Sequence, residues 1–302
     1  MHLIDNPRHR RPLLISIILI SITLLALSSI FIIDLVKDYS SWQELSATII
    51  KKTDSFNGLV SLEIKDLNRG FVISLNPDKQ IPAASLAKLA VMASALKKCN
   101  DKKISLSDYV TLRNIDRVGG SGILKNSRAG SRFTVGELIE LMITISDNTA
   151  TNLLINFLGF DYINNSMNEF ALKSSNLTRL MMDMKSRKNG IENYTTASDM
   201  ARILELIYEG ELINKDISKY SAQILKEQKS KNRIPAKLPK NTEIAHKTGL
   251  ENGVCHDVGI VYTETGDFII SALTHHKNKT SRQSKKMIAE IAYLVYNYYV
   301  YD

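Results

Sequence analysis

Pro82-Ala83-Ala84-Ser85-Leu86-Ala87-Lys88-Leu89-Ala90-Val91-Met92 places a hydroxyl and an amine three residues apart at the head of an apolar run. The spacing predicts a helix over 85–98. Residues three apart on a helix share a face, so Ser85 and Lys88 meet if it forms. A serine hydroxyl is a poor nucleophile until a base takes its proton. A lysine buried near other cations loses proton affinity through desolvation and repulsion, and its neutral amine can be that base. At a helix start, the Ser85 N–H can also face the oxyanion that forms on an attacked carbonyl.

Two more short motifs follow downstream. Ser146-Asp147-Asn148 joins a predicted helix over 134–145 to another over 149–157. Lys247-Thr248-Gly249 ends a predicted strand over 243–247, and Lys247 can supply the second positive charge. Each motif alone has an ordinary structural reading. Ser94-Ala95-Leu96-Lys97 repeats the first spacing and reads as helix surface. Ser146-Asp147-Asn148 suits a helix N-cap, and Lys247-Thr248-Gly249 suits a strand end with a glycine turn.

The 302 residues are 44% hydrophobic and 23% charged, an ordinary globular balance that excludes a disordered, collagen-like or multi-span membrane chain. Cys99 and Cys255 are too few for a disulfide framework; a bridge between them is permitted outside the cell, but they read more readily as separate thiols. The six histidines show no zinc spacing. One stretch departs from the average: Leu13 to Ile33 carries no charge, and about 20 apolar residues cross a bilayer as a helix. It exceeds the roughly 7–15-residue apolar core of a cleaved signal peptide. Arg8, Arg10 and Arg11 precede it, so the N-terminus is expected in the cytoplasm and the rest outside the membrane. The expected organisation is a cytoplasmic end and anchor over 1–37 and a single extracytoplasmic domain over 38–302.

Within that domain, 40–53 reads as an amphipathic helix, and Leu59–Leu67 with Gly70–Leu75 as a hairpin about Asn68-Arg69. The middle, from Ser85 to about Leu225, is mostly helical, including a helix over 197–209. Strands return at 243–247, 254–263 and 267–274, and a helix over 283–300 closes the chain. Strands at both ends of a helical insertion predict an α/β fold of two lobes: an antiparallel sheet flanked by helices, and an all-helical lobe. Any site would lie in the cleft between them.

The three motifs, in this order and at these structural positions, resemble the signature of class A β-lactamases and penicillin-binding proteins. The resemblance spans roughly 40–302 and extends to Gly120-Ser121-Gly122-Ile123-Leu124, Thr149-Ala150-Thr151-Asn152-Leu153-Leu154 and His256-Asp257-Val258-Gly259-Ile260-Val261. It implies that Ser85 is acylated, Lys88 activates it, and Ser146 relays a proton to the departing nitrogen. It further implies that Asn148 holds the substrate amide and that Lys247 and Thr248 bind its carboxylate. Gly249 completes the third motif, and the N–H groups of Ser85 and Leu250 form the oxyanion hole. The implied reaction opens a β-lactam amide, confers antibiotic resistance and needs no metal or organic cofactor. A D-Ala-D-Ala peptidase and a membrane-anchored penicillin-binding sensor are the alternative readings.

One departure bears on deacylation. Efficient class A enzymes carry a Glu-x-x-Leu-Asn loop whose glutamate activates the hydrolytic water. The corresponding stretch here reads Arg179-Leu180-Met181-Met182-Asp183-Met184. Asp183 is the nearest carboxylate, one methylene shorter, and is either that base or a loop fastener paired with Arg179. Glu192 is the other candidate, or else it stabilises the loop neck. His246, His256 and Asp257 read as packing and hydrogen bonding more readily than as a metal set. The basic run His275–Lys286 reads as a solvated turn, and no nucleic-acid motif is present. The chain is expected to act as a monomer held in the membrane through 13–33.

Overall fold

The computed structural model describes residues 7–277 and 280–301, and the side chains of all of these except 7–18, 26, 31 and 301. The chain divides into two compact units, Met1–Thr48 and Ile49–Asp302. In the first, α1 (Pro7–Thr53) is one continuous helix. The expected break between an anchor and an amphipathic helix at 40–53 is therefore absent, because no proline or glycine interrupts 34–53. Over Leu19–Thr53 the helix contains a window of mean hydropathy 2.4, none of it buried. It is long and apolar enough to cross a membrane.

The second unit opens with the expected hairpin, β1 (Gly58–Asp66) and β2 (Val72–Leu75). The short strand β3 (Ile81–Pro82) then leads through a 3₁₀ turn, Ala84–Leu86, into α2 (Ala87–Asn100). Ser85 thus sits in the tight turn before the α-helix rather than on its first turn. Every residue of α2 from Ala87 to Leu96 is buried. Such a helix, covered on all sides, is the centre of its lobe. Against it pack α3 (Val135–Thr144) and α4 (Asn148–Leu158), preceded in the chain by the ribbon of β4 (Tyr109–Thr111) and β5 (Arg132–Thr134). The lobe continues with α5 (Phe160–Glu169), the single turn α6 (Met184–Lys188), β6 (Tyr194–Thr195) paired with β3, α7 (Ala197–Tyr208) and α8 (Lys215–Lys226). The expected α3, α4 and α7 are present within a residue or so of their bounds. α5 and α8 lie in the mostly helical middle but have no separate counterpart among the expected helices. In α8, Ile217, Tyr220, Ile224 and Leu225 repeat at helical spacing and were the available signal.

The chain then returns to the sheet through β7 (Ile244–Glu251), β8 (Val254–Val261) and β9 (Phe268–His276), and ends in α9 (Arg282–Tyr301). The five-stranded antiparallel sheet has the order β2-β1-β9-β8-β7. β7 runs four residues beyond the expected end, so Lys247-Thr248-Gly249 lies within an edge strand. All eight residues of β8 are buried. A strand covered on both faces loses polar alternation, and each polar side chain within it then needs a partner. β7, at the sheet edge, packs beside the 3₁₀ turn that carries Ser85.

Candidate active site

Ser85, Lys88, Ser146, Asn148 and Lys247 come together where the edge of β7 faces the helical lobe. Ser146 has φ 57°, a left-handed conformation that L-residues rarely adopt. The turn directs both its carbonyl and its hydroxyl to Lys88, whose Nζ lies 2.7 Å from Ser146 O and 3.0 Å from Ser146 Oγ. The same amine is 2.8 Å from Asn148 Oδ1 and 3.1 Å from Ser85 Oγ. Two of these partners are carbonyl oxygens that can only accept. They consume two N–H bonds and leave the third position of the nitrogen facing hydroxyls, where a neutral amine presents a lone pair. Lys247 Nζ donates to Thr248 O at 3.0 Å and reaches Ser146 Oγ at 3.1 Å. Ser146 Oγ is therefore held between two amines.

Both lysines are fully buried. Burial first, and the nearby charge of Lys247 second, hold Lys88 well below the usual lysine range, against an opposing pull from Asp147. Burial likewise brings Lys247 down to about 7, with Asp257 raising it and Arg233 lowering it further. No ion pair among the described residues involves either lysine.

The supports are equally specific. Asp147 Oδ1 caps α4 by accepting from Ala150 N–H at 2.9 Å. Its Oδ2 accepts from Ile123 N–H at 2.6 Å and Leu124 N–H at 2.9 Å, which fixes the 119–124 loop. The N-cap reading of this triplet thus holds together with its place in the site. Asn148 Nδ2 also donates to Gly119 O. Gly249 lets β7 approach the nucleophile's turn, since a Cβ there would lie 2.9 Å from His256 Cδ2 and 3.3 Å from Ala83 O. His256 Nδ1 accepts from Thr274 N–H, so Nε2 donates to Pro82 O at 2.9 Å. Burial depresses this imidazole to about 4, and the neutral ring pins the backbone just ahead of Ser85.

Two open spaces meet at Ser85. One, of about 500 Å³, is walled by Met181, Met182, Leu250, Arg179 and Glu251. The other, of about 700 Å³, runs past Ser146 and Thr248 to Arg233 and Lys229. The sequence reading missed Arg233. It is buried and lines the groove beside Thr248, but no motif marks it, because its place depends on the strand behind it.

Asp183 is placed differently from the expectation that it serves as a base. Its Oδ1 accepts from Ser186 N–H at 2.9 Å and its Oδ2 from Ser186 Oγ at 2.7 Å, so it caps α6. These bonds hold its carboxyl below the usual range. Neither does it pair with Arg179, which binds Glu192 at 2.7 Å and Glu251 at 3.1 Å. Arg187 joins the same two glutamates, so Glu192 fastens the loop neck. Met181, pinned by Asn152 at both its N–H and its carbonyl, lines the Ser85 groove together with Met182 and Arg179 of the same loop. Ser94 also differs from its expected place. It is buried rather than on the helix surface, and donates to Ala90 O. Cys99 and Cys255 are free thiols. Within His275–Lys286, Asn278 and Lys279 lie outside the described residues, as do the side chains of Arg8, Arg10 and Arg11.

Two lobes with a serine, two buried lysines and a bridging hydroxyl between them define a serine hydrolase of the acyl-enzyme type. The family model of the β-lactamase enzyme family matches residues 42–299. The chain belongs to that family, and its activity is β-lactam hydrolysis. It is 24% identical over 295 residues to β-lactamase VEB-1 of Pseudomonas aeruginosa, covering 92% of this chain and 97% of that one. The solved β-lactamase of Sphaerobacter thermophilus is similar at 28% identity and TM-score 0.78, over 86% of this chain and 97% of that one. PBP-A, as a leucine-to-glutamate mutant in an acyl-enzyme complex with penicillin G, superposes with TM-score 0.78 at 27% identity, over 84% and 96%.

Proposed function

We propose that Ser85 Oγ attacks the β-lactam carbonyl while neutral Lys88 takes its proton. The N–H groups of Ser85 and Leu250 would hold the oxyanion. As the C–N bond breaks, Ser146 Oγ passes a proton to the lactam nitrogen and is resupplied from the lysine side. Asn148 orients the substrate amide. Lys247, Thr248 and Arg233 bind the carboxylate beside the strained ring. Water then cleaves the Ser85 ester. The observation that carries this reading is Ser146 Oγ held at 3.0 and 3.1 Å between two buried amines, one of which reaches Ser85.

The test uses the full chain in detergent, a chromogenic cephalosporin and intact-protein mass spectrometry. Many turnovers with a transient adduct are expected, absent in Ser85→Ala and retained in Ser94→Ala. An adduct on Ser85→Ala would overturn the assignment. One observation favours a second reading in which the acyl group leaves slowly, as in a D-Ala-D-Ala peptidase or a penicillin-binding sensor. Glu251 is the one carboxylate among the described residues lining the Met181 side of the groove, and Arg179 and Arg187 both engage it. A persistent adduct with few turnovers is that reading's signature.

We also place the catalytic unit, a monomer, on the outer face of the cell membrane, held by the apolar helix through 13–33. The arginines before that helix and the absence of charge within it support this orientation.

A further inference from the structure

Behind the carboxylate end of the groove lies a buried polar cluster that the proposed steps do not use. Thr248 faces Asp257 and Leu250 faces Cys255 in the β7–β8 register, so strand alternation puts Thr248, His246, Asp257 and Cys255 on one sheet face. Cys255 Sγ accepts from Arg233 Nε at 3.2 Å. Asp257 Oδ2 accepts from Ile234 N–H at 3.0 Å, one residue further along the same segment. Its Oδ1 lies 2.9 Å from His246 Nδ1. All four of Arg233, His246, Cys255 and Asp257 are buried. Two adjacent inward residues of β8 therefore tether the segment that delivers Arg233 to the groove. Two charged groups act on Lys247, Asp257 from β8 and Arg233 from the segment before Ile234–Lys237, and the neutral amine of Lys88 from α2 stands close by across Ser146 Oγ. Asp257 is the negative one.

We propose that Asp257 and Cys255 are positioning residues for the substrate's carboxylate. They seat the Arg233 guanidinium beside Thr248, which Asp257 faces directly in the β7–β8 register. This rests on the reading of Lys247, Thr248 and Arg233 as the carboxylate site. Neither residue touches substrate. Without the Asp257 charge, burial and the Arg233 charge would neutralise Lys247 at a lower pH. Without the Cys255 thiol, Arg233 Nε would lose its acceptor and the guanidinium its fixed direction.

The test compares a cephalosporin with its neutral methyl ester on the full-length protein and on Asp257→Asn and Cys255→Ala. The wild type is expected to prefer the acid. In Asp257→Asn the acid-over-ester preference should fall about tenfold, through KM rather than kcat, and the alkaline limb of kcat/KM for the acid should move about one pH unit lower. In Cys255→Ala the preference should fall while the limb stays in place. Equal losses on acid and ester with an unmoved limb would overturn the proposal and leave both residues structural. Should Asp257→Asn not fold, an unchanged acid-over-ester ratio in Cys255→Ala overturns it alone. A wild type that does not distinguish acid from ester would instead refute the carboxylate site itself.

Discussion

Ser146 couples a strained backbone to chemistry. Its left-handed conformation costs of order 1–3 kcal/mol. It is held because Lys88, Lys247 and the Asp147 cap all act on the same turn. The two amines also set the pH behaviour. Lys247, near 7 in the free enzyme, is charged below that pH and neutral above it. Carboxylate binding should therefore weaken as pH rises through about 7, seen as a rising KM for an anionic lactam at constant ionic strength. A KM that is flat from pH 6 to 9 would contradict this. The loop residues give a second expectation. Asp183 is occupied by Ser186, so Asp183→Asn should leave the rate of acyl release unchanged. Met181 faces the groove, so Met181→Glu should place a carboxylate near the ester and speed release by about 10²–10⁴-fold, the range of general-base assistance. Stopped-flow acylation followed by mass spectrometry measures both.

At the scale of elements, the site is a junction of three turns rather than a feature of any one helix. Asp147 joins two of them, since one buried carboxylate accepts from α4 and from the 119–124 loop. Gly122, with φ 104°, is the close-approach point, because a Cβ there would fall 2.2 Å from Asp147 Cγ. Asp147→Ala should destabilise the fold by about 3–5 kcal/mol, since it strands the three N–H donors of Ile123, Leu124 and Ala150. Thermal unfolding measures the loss, and acylation should fail with it as the loop lets go of Ser146 and Asn148. A separate tie is the four-member ion cluster of Arg179, Arg187, Glu192 and Glu251, which fastens the 179–192 loop to the end of β7.

For the whole molecule, the division at Thr48 separates an exposed apolar helix from a unit with its own core. Activity is expected to sediment with membranes after cell breakage and to be released by detergent but not by salt or alkali. Protease added to intact spheroplasts should remove it. Activity in the soluble fraction of the full-length chain would refute the anchor.

Much of this was legible in the chain because it depends on local spacing. Three residues of helical spacing bring Ser85 onto Lys88, and the hairpin about Asn68-Arg69 and the apolar run from Leu13 to Ile33 are contiguous. Family resemblance supplied the partnership of these residues with Lys247. The sequence by itself thus determined which groups could do the chemistry, since reactivity belongs to side-chain type and near-neighbour spacing. Only the tertiary structure decided which of them come together. It buried Ser94 and turned its hydroxyl to Ala90, gave Asp183 to Ser186, and stood Met181 in the groove. It also brought Arg233 to Thr248 by way of Cys255, and Glu251 to Arg179. Those outcomes depend on burial and on contacts between distant strands and loops, whose direction is set by packing and by which donors and acceptors remain to be satisfied.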